Sequence, residues 1–129
     1  MNEEIKARKK AENDLRDRTK RFALLIVRMF SSLPKTVEAQ VLGKQVLRSG
    51  TSIGANYREA YRSRSRAEFI AKAGDCLKEL EETAYWMELL VESGIVDEKP
   101  LAELQKECGE LTAIFVTIVK TSKKEASMK

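Results

Sequence analysis

Evenly spaced turn signals are the feature of this chain that most constrains its fold. Proline and glycine are sparse, and the stretches between the predicted turns are each about 24 to 28 residues long, or roughly 35–40 Å of α-helix. Apolar residues recur within them at helical spacing, and no stretch alternates apolar and polar residues for long. Helices of equal length joined by short links pack antiparallel. The sequence therefore predicts an all-α, antiparallel up-down-up-down four-helix bundle, formed by residues 1–129 as a single domain.

Cap residues and helix-ending residues predict where each helix lies. Thr36 and Asp97 can cap the second and fourth helices, and Ser65 with Glu68 forms a capping box at the start of the third. Gly94 tolerates the left-handed conformation that follows a last helical turn. The expected helices cover about residues 5–31, 36–62, 66–93 and 98–121. We expect the charged N-terminal extension to fray and the tail after residue 121 to be disordered.

Histidine is absent from the sequence. Its absence removes the most common general base, the most common metal ligand and every serine–histidine or cysteine–histidine pair. Paired carboxylates remain, but the helical bundles that bind two metal ions also use histidine ligands. We therefore predict a protein that is not an enzyme, with no catalytic residues, no bound metal and no cofactor.

The longest apolar run and the two cysteines bear on the location of the protein. The run Phe22–Val27 stops at Arg28, so it is too short for a signal peptide or a membrane span. Cys76 and Cys108 lie far apart in predicted helices and lack the close spacing of a zinc motif. We expect both to be reduced core thiols in a cytoplasmic protein that does not contact a membrane.

The second predicted helix contains glycines, although glycine costs roughly 1 kcal/mol relative to alanine inside a helix. Gly50 and Gly54 are four residues apart, so they share a helical face and would let another backbone approach closely. The expected role is close packing against a neighbouring helix, in the same subunit or in the next one. A phosphate-binding loop is disfavoured because no Gly-Lys-Ser/Thr signature follows.

A polar line runs along the same helix, with members spaced three or four residues apart so that they share one face. If that face is buried, Arg48 needs a carboxylate such as Glu79 or Glu82 from the acidic third helix. We interpret the line as a network of hydrogen bonds and ion pairs that fixes helix register or a subunit interface, and a ligand site is the alternative. The residues assigned to this network are Gln45, Arg48, Ser52, Asn56, Glu59 and Glu79.

The end of the second helix and the following turn carry arginines interleaved with Tyr57 and Tyr61. Arginines can neutralise phosphates, and tyrosines can stack on bases. Alternatively, these arginines pair with nearby carboxylates in a solvated turn. The net charge is +4, with basic residues dominating 35–74 and carboxylates dominating 75–110, so the two regions could also pair with each other. The candidate nucleic-acid-binding residues are Arg58, Arg62, Arg64 and Arg66.

Two stretches of the chain resemble a known family. Residues 45–60 read QVLRSGTSIGANYREA, and residues 76–81 read CLKELE. This pattern resembles the bacterial four helix bundle protein family, whose members are encoded in intervening sequences of large-subunit ribosomal RNA and were once labelled S23 ribosomal proteins. The resemblance spans roughly Phe22 to Lys120. It implies an antiparallel four-helix protomer that assembles into a ring, typically a pentamer.

The resemblance also implies a fold relationship to the accessory variability protein of diversity-generating retroelements, a pentameric basic barrel that binds reverse transcriptase and nucleic acid. Our first hypothesis is therefore a non-enzymatic homo-oligomeric accessory protein, pentameric by resemblance, that binds RNA or DNA. Its protein partners would be further copies of itself and a reverse transcriptase or another protein. The alternative is a protein-interaction scaffold with no role in nucleic-acid binding.

Overall fold

Four long α-helices account for nearly all of residues 2–128, the part of the chain that the computed structural model describes. They are α1 (Glu3–Ser31), α2 (Val37–Tyr61), α3 (Arg66–Glu92) and α4 (Glu98–Ser127). Sequential helices pack against each other, whereas α1 and α4 approach each other least closely. Because the turns between them are short, consecutive helices run antiparallel. The predicted all-α four-helix bundle is confirmed.

Side chains cap the N-termini of three helices. The Asn2 carboxamide oxygen accepts a first-turn backbone N–H at 2.8 Å, and the hydroxyls of Thr36 and Ser65 do the same for α2 and α3 at 3.3 and 3.0 Å. Asp97 occupies the same position at α4 without a side-chain hydrogen bond. After α3, Gly94 has a φ of 79°, a left-handed conformation that glycine adopts without a steric penalty.

The two terminal helices extend further than the sequence predicted. Helix α1 begins at Glu3, where its first-turn carboxylates favour the positive end of the helix dipole. Helix α4 continues to Ser127, past the end predicted at residue 121; residues 1 and 129 lie outside the described part of the chain. In the extra turns of α4, Ser122 is buried and Glu125 forms an ion pair with Arg66 of α3.

The core draws on all four helices and includes both cysteines. The Sγ atoms of Cys76 and Cys108 lie 3.5 Å from the Ile53 carbonyl oxygen and 3.4 Å from the Leu80 carbonyl oxygen. Burial raises the pKa of Cys76 to about 12 and that of Cys108 to about 11, so both remain protonated thiols. The largest completely buried side chains include Phe22, Ile26, Ile53, Leu80, Met87, Leu90, Leu101, Leu111 and Phe115.

Small residues on α2 let α1 approach closely. A Cβ atom placed on Gly50 would lie 2.9 Å from Cγ1 of the buried Ile26, and one placed on Gly54 would lie 3.2 Å from Oγ1 of Thr19. Both glycines therefore face α1 of the same chain, and the close contact they permit lies within the protomer. Within residues 2–128, no helix combines the length and the apolar character needed to cross a membrane.

Candidate nucleic-acid interface

The polar line of α2 meets the acidic side of α3 at Arg48. Its guanidinium donates to Glu79 at 3.2 Å and to Glu82 at 2.8 Å, and its Nε donates to the Gln45 side-chain oxygen at 3.3 Å. The hydrogen bond to Glu82 and the charge of both carboxylates raise the pKa of Arg48. This half of the line thus ties α2 to α3 within the protomer.

The remaining members of the line have more local partners. The Ser52 hydroxyl donates to the Arg48 carbonyl at 2.6 Å, and Glu59 accepts an ion pair from Lys72 of α3 at 2.8 Å. Asn56 is half-buried and makes no side-chain hydrogen bond among residues 2–128. Within the line, Arg48 and Glu59 are therefore engaged between the two helices, whereas Gln45 and Ser52 bond within α2.

Two further polar contacts were not identified from the sequence. Thr83 donates to Ser49 at 2.8 Å in the completely buried seam between α2 and α3. Arg18 of α1 makes two hydrogen bonds of 2.7 Å to Glu107 of α4 and one of 2.9 Å to Glu110. The Arg18 guanidinium holds the pKa of Glu107 below its usual value. Because these partners are up to 92 residues apart, sequence spacing gives no signal of them.

The antiparallel order brings four helix ends together: the N-terminus of α1, the C-terminus of α2, the N-terminus of α3 and the C-terminus of α4. We call this the basic end. It comprises residues 2–16, 58–72 and 118–128, and cations outnumber carboxylates in each of these three segments. The excess of cations in these three segments is therefore concentrated at one end of the bundle.

All four candidate arginines lie at the basic end, but their environments differ. Arg62 and Arg64 are exposed and form no ion pair within residues 2–128. Arg58 is partly buried, and Arg66 pairs with Glu125. Exposed, unpaired guanidinium groups keep their full charge available for phosphates.

A first cavity of about 690 Å³, which we call the arginine cavity, opens at the basic end. Three guanidinium groups line it, from Arg8 of α1, Arg64 of the α2–α3 turn and Arg66 of α3. Its other lining residues are Ser63, Ser65, Phe69, Ser122 and Glu125. Arginines and hydroxyls at one surface supply the hydrogen-bond donors that suit a phosphate.

A second cavity of about 500 Å³, the tyrosine cavity, lies beside the first. Tyr57 is only 4% exposed, and its hydroxyl is 3.4 Å from the Glu12 carbonyl oxygen. Burial raises the pKa of Tyr57, so the phenol stays neutral. The Arg16 guanidinium lies 5.7 Å from the centre of the Tyr61 ring. The other apolar side chains of the lining are Ala11, Leu15, Phe69, Ile114 and Ile118.

Several residues of this end were not predicted as site residues, namely Arg8, Arg16, Phe69 and Ser122. Arg8 and Ser122 lie in segments that were expected to fray or be disordered, and Phe69 was expected in the apolar stripe of the third helix. The part of the chain that the structure describes contains no cluster of three carboxylate, cysteine or histidine side chains that could hold a metal ion.

Comparison with known proteins places the chain among relatives of the same architecture. Residues 11–117 match the family model described as 23S rRNA-intervening sequence protein. The chain is also similar to the crystal structure of a protein with unknown function from the S23 ribosomal protein family of Bacteroides thetaiotaomicron VPI-5482. The two share 38% sequence identity with a TM-score of 0.79, over 84% of this chain and 97% of that chain. No curated protein matches the chain significantly.

Proposed function

The chain belongs to the family of 23S rRNA-intervening sequence proteins, and from this we propose that it is a non-enzymatic, homo-oligomeric accessory protein that binds RNA or another nucleic acid through its basic end. The observation that carries the proposal is the pair of exposed arginines beside the arginine cavity, Arg62 and Arg64, which form no ion pair with any residue that the structure describes. The proposal places the protein in the cytoplasm, where its two buried thiols stay reduced.

The physical basis for binding is the release of counterions from the phosphate backbone. Each phosphate that an arginine neutralises contributes about 0.9 to the slope of log affinity against log salt on duplex DNA. At the basic end, cations from three separate segments surround one surface, so several phosphates can be contacted at once. Because the cations at this surface are arginines and lysines suited to phosphates, we expect contacts to the backbone to dominate the affinity.

The test is fluorescence anisotropy with a labelled RNA hairpin at several salt concentrations. The double variant Arg62→Ser/Arg64→Ser should bind at least tenfold more weakly than the native chain, with a shallower salt slope. The matched control is Lys35→Ser/Lys44→Ser, which removes the same charge from two exposed positions at the opposite end of the bundle. Circular dichroism confirms that both variants fold. Equal affinity of the two variants for RNA would contradict the assignment of the basic end.

The homo-oligomer, for which we propose a pentameric ring, is supported by apolar surface away from the basic end. Val37 and Val41 are 77% and 56% exposed. Tyr85 is exposed and contacts Trp86 edge to face at 5.1 Å, and the buried Trp86 Nε1–H has no hydrogen-bond partner among residues 2–128. Exposed apolar and aromatic groups of this kind mark protein–protein contacts.

The same apolar surface favours a second candidate function, a protein-interaction scaffold without a nucleic-acid role. In that case the surface would capture another protein, for which the resemblance suggests a reverse transcriptase. Purification from cells under gentle conditions separates the two functions. Stoichiometric recovery of a protein partner with no RNA, combined with salt-independent behaviour in the anisotropy assay, would favour the scaffold.

A further inference from the structure

The arginine cavity and the tyrosine cavity adjoin each other but differ in chemistry. Arg8 and Phe69 line both of them, so they are neighbouring parts of one surface. Guanidinium and hydroxyl groups predominate in the first part, whereas aromatic and aliphatic side chains predominate in the second, which also has two arginines and two carboxylates in its lining. A ligand that spans both parts therefore has an anionic portion directly attached to a flat, apolar portion.

The tyrosine cavity suits a neutral planar group. Its volume of about 500 Å³ lies within the range of pockets that hold small ligands, about 300–1,000 Å³. Tyr57 is held in place by its edge-to-face contact with Phe115, with ring centres 5.6 Å apart. Glu12 and Asp14 balance the charge of Arg8 and Arg18 in this lining, and their carboxylates can accept hydrogen bonds from amino groups. A nucleobase has the required flat face and ring donors.

The arginine cavity suits a phosphate. Arg64 and Arg8 supply charge, Arg8 being in a long, exposed ion pair with Glu4 at 3.9 Å, and the nearby serine hydroxyls supply further donors. Arg66 also faces this cavity, but Glu125 occupies its guanidinium in an ion pair. A phosphate would compete with Glu125 for Arg66, so Glu125 weakens anion binding in the native chain.

On the basis of the proposed nucleic-acid role, we propose that the basic end holds one unpaired nucleotide of the bound strand, with its phosphate in the arginine cavity and its base in the tyrosine cavity. A base inside a duplex is stacked and cannot enter such a cavity, so the site distinguishes bulges, loops and strand ends from continuous duplex. Arg8, Ser122 and Glu125 lie outside residues 11–117, so the phosphate side is built partly from segments beyond the family match.

The experiment compares three RNA duplexes of the same sequence by anisotropy: one fully paired, one with a single bulged nucleotide, and one with a bulged abasic nucleotide. The abasic probe has the backbone of the bulged probe but no base, so it isolates the contribution of the base. We expect the native chain to bind the bulged duplex roughly 5- to 100-fold more tightly than the abasic one. Free adenosine 5′-monophosphate, titrated as a competitor, should compete only weakly.

Cavity-filling variants test the location of the base. Ile118→Trp should remove the preference for the bulged nucleotide, so that the bulged and abasic duplexes bind with equal affinity. Ala11→Phe fills the cavity from α1 and should give the same result, so the test survives if one variant does not fold. Glu125→Gln frees Arg66 and should strengthen binding of the bulged duplex several-fold.

The outcomes separate the inference from the proposed function. Equal affinity for the bulged and abasic probes, with the paired duplex still bound, would overturn the nucleotide site and leave the basic end as a nonspecific surface. Absence of binding to all three duplexes would overturn the proposed function as well. Free adenosine monophosphate binding as tightly as the bulged duplex would overturn the assignment to a strand, because it would indicate a site for free nucleotides.

Discussion

Gly50 and Gly109 are both helical glycines, yet the space around them differs. A methyl group on Gly50 would meet the completely buried Ile26, whereas nothing lies within 4 Å of the Cβ position of Gly109. Overpacking a core costs about 1–3 kcal/mol, and alanine recovers roughly 1 kcal/mol in helix propensity. Gly50→Ala should therefore lower the free energy of unfolding by up to about 2 kcal/mol, as measured by chemical denaturation.

Gly109→Ala is the matched control, because it gains helix propensity without steric conflict. It should raise the free energy of unfolding by about 0.5–1 kcal/mol. If the two alanine variants were equally stable, Ile26 would have room to move, and the close approach of α1 to α2 would not depend on Gly50.

The contact of Arg18 with Glu107 predicts a pH dependence of stability. Because the folded-state pKa of Glu107 is depressed, its contribution is fully present above the unfolded-state pKa and is lost as the pH falls through the folded-state value. Glu107→Gln should therefore be less stable than the native chain at pH 7, by about 1 kcal/mol. The difference should close as the pH falls below about 4.

Thermal unfolding of the native chain and the variant across this pH range measures the effect. Glu103→Gln is the control, because Glu103 is exposed on the same helix and forms no ion pair in the described part of the chain. A gap between native and Glu107→Gln that is constant from pH 7 to pH 3 would show that the ionised carboxylate is not the source of the stabilisation.

At the scale of helices, the N-caps of α3 and α4 give a matched comparison. Ser65 accepts a hydrogen bond from the Glu68 N–H, whereas Asp97 makes no such bond. Ser65→Ala should therefore lower the free energy of unfolding by about 1 kcal/mol, while Asp97→Ala should lower it by only a few tenths, about 0.3 kcal/mol, through the helix dipole. Urea denaturation measures both. A larger effect at Asp97 would mean that its carboxylate caps α4 in solution.

The helix ends show which parts of the fold were predictable from the sequence. The starts of α2 and α3 were predictable because Thr36 and Ser65 act within their own turns, as does Gly94 at the end of α3. The end of α4 was not predictable, because Glu125 there contacts Arg66, which lies 59 residues earlier. Polar sequence alone gave no sign of that contact.

In the candidate site, too, local features were predictable from the sequence and contacts between distant segments were not. The arginines from Arg58 to Arg66 are close in sequence, so their clustering was visible as a local run. Arg8, Phe69 and Ser122 come from three different helices and meet only because the bundle brings their ends together. Composition predicted a basic surface, and topology was needed to show that it adjoins an aromatic cavity.

At the scale of the whole molecule, the bundle separates two kinds of surface. The basic end carries the arginines and both cavities, whereas Val37 and Val41 lie at the start of α2, near the opposite end. Gly50 and Gly54 of α2 face α1 of the same chain, so their close contact belongs to the protomer. An oligomer whose interface contains Val37 and Val41 would leave the basic end of every protomer accessible to a shared ligand.

This separation predicts that assembly and nucleic-acid binding can be altered independently. The native chain should form a particle larger than a dimer at micromolar concentration, with five times the protomer mass for the proposed pentamer. Val37→Lys/Val41→Lys places two charges where the exposed apolar side chains lie and should yield monomers, because burying unpaired charges at an interface is costly. Light scattering coupled to size-exclusion chromatography measures the mass.

The control variant is Ala102→Lys/Thr117→Lys, which adds the same two charges at exposed positions of α4 and should keep the native mass. The monomeric valine variant should still bind RNA through Arg62 and Arg64, but more weakly, because a ring presents several basic ends to one strand and so gains from multivalency. A native chain that scatters only as a monomer would contradict the oligomer. If the variant Val37→Lys/Val41→Lys kept the native mass, the interface would lie on another surface of the bundle.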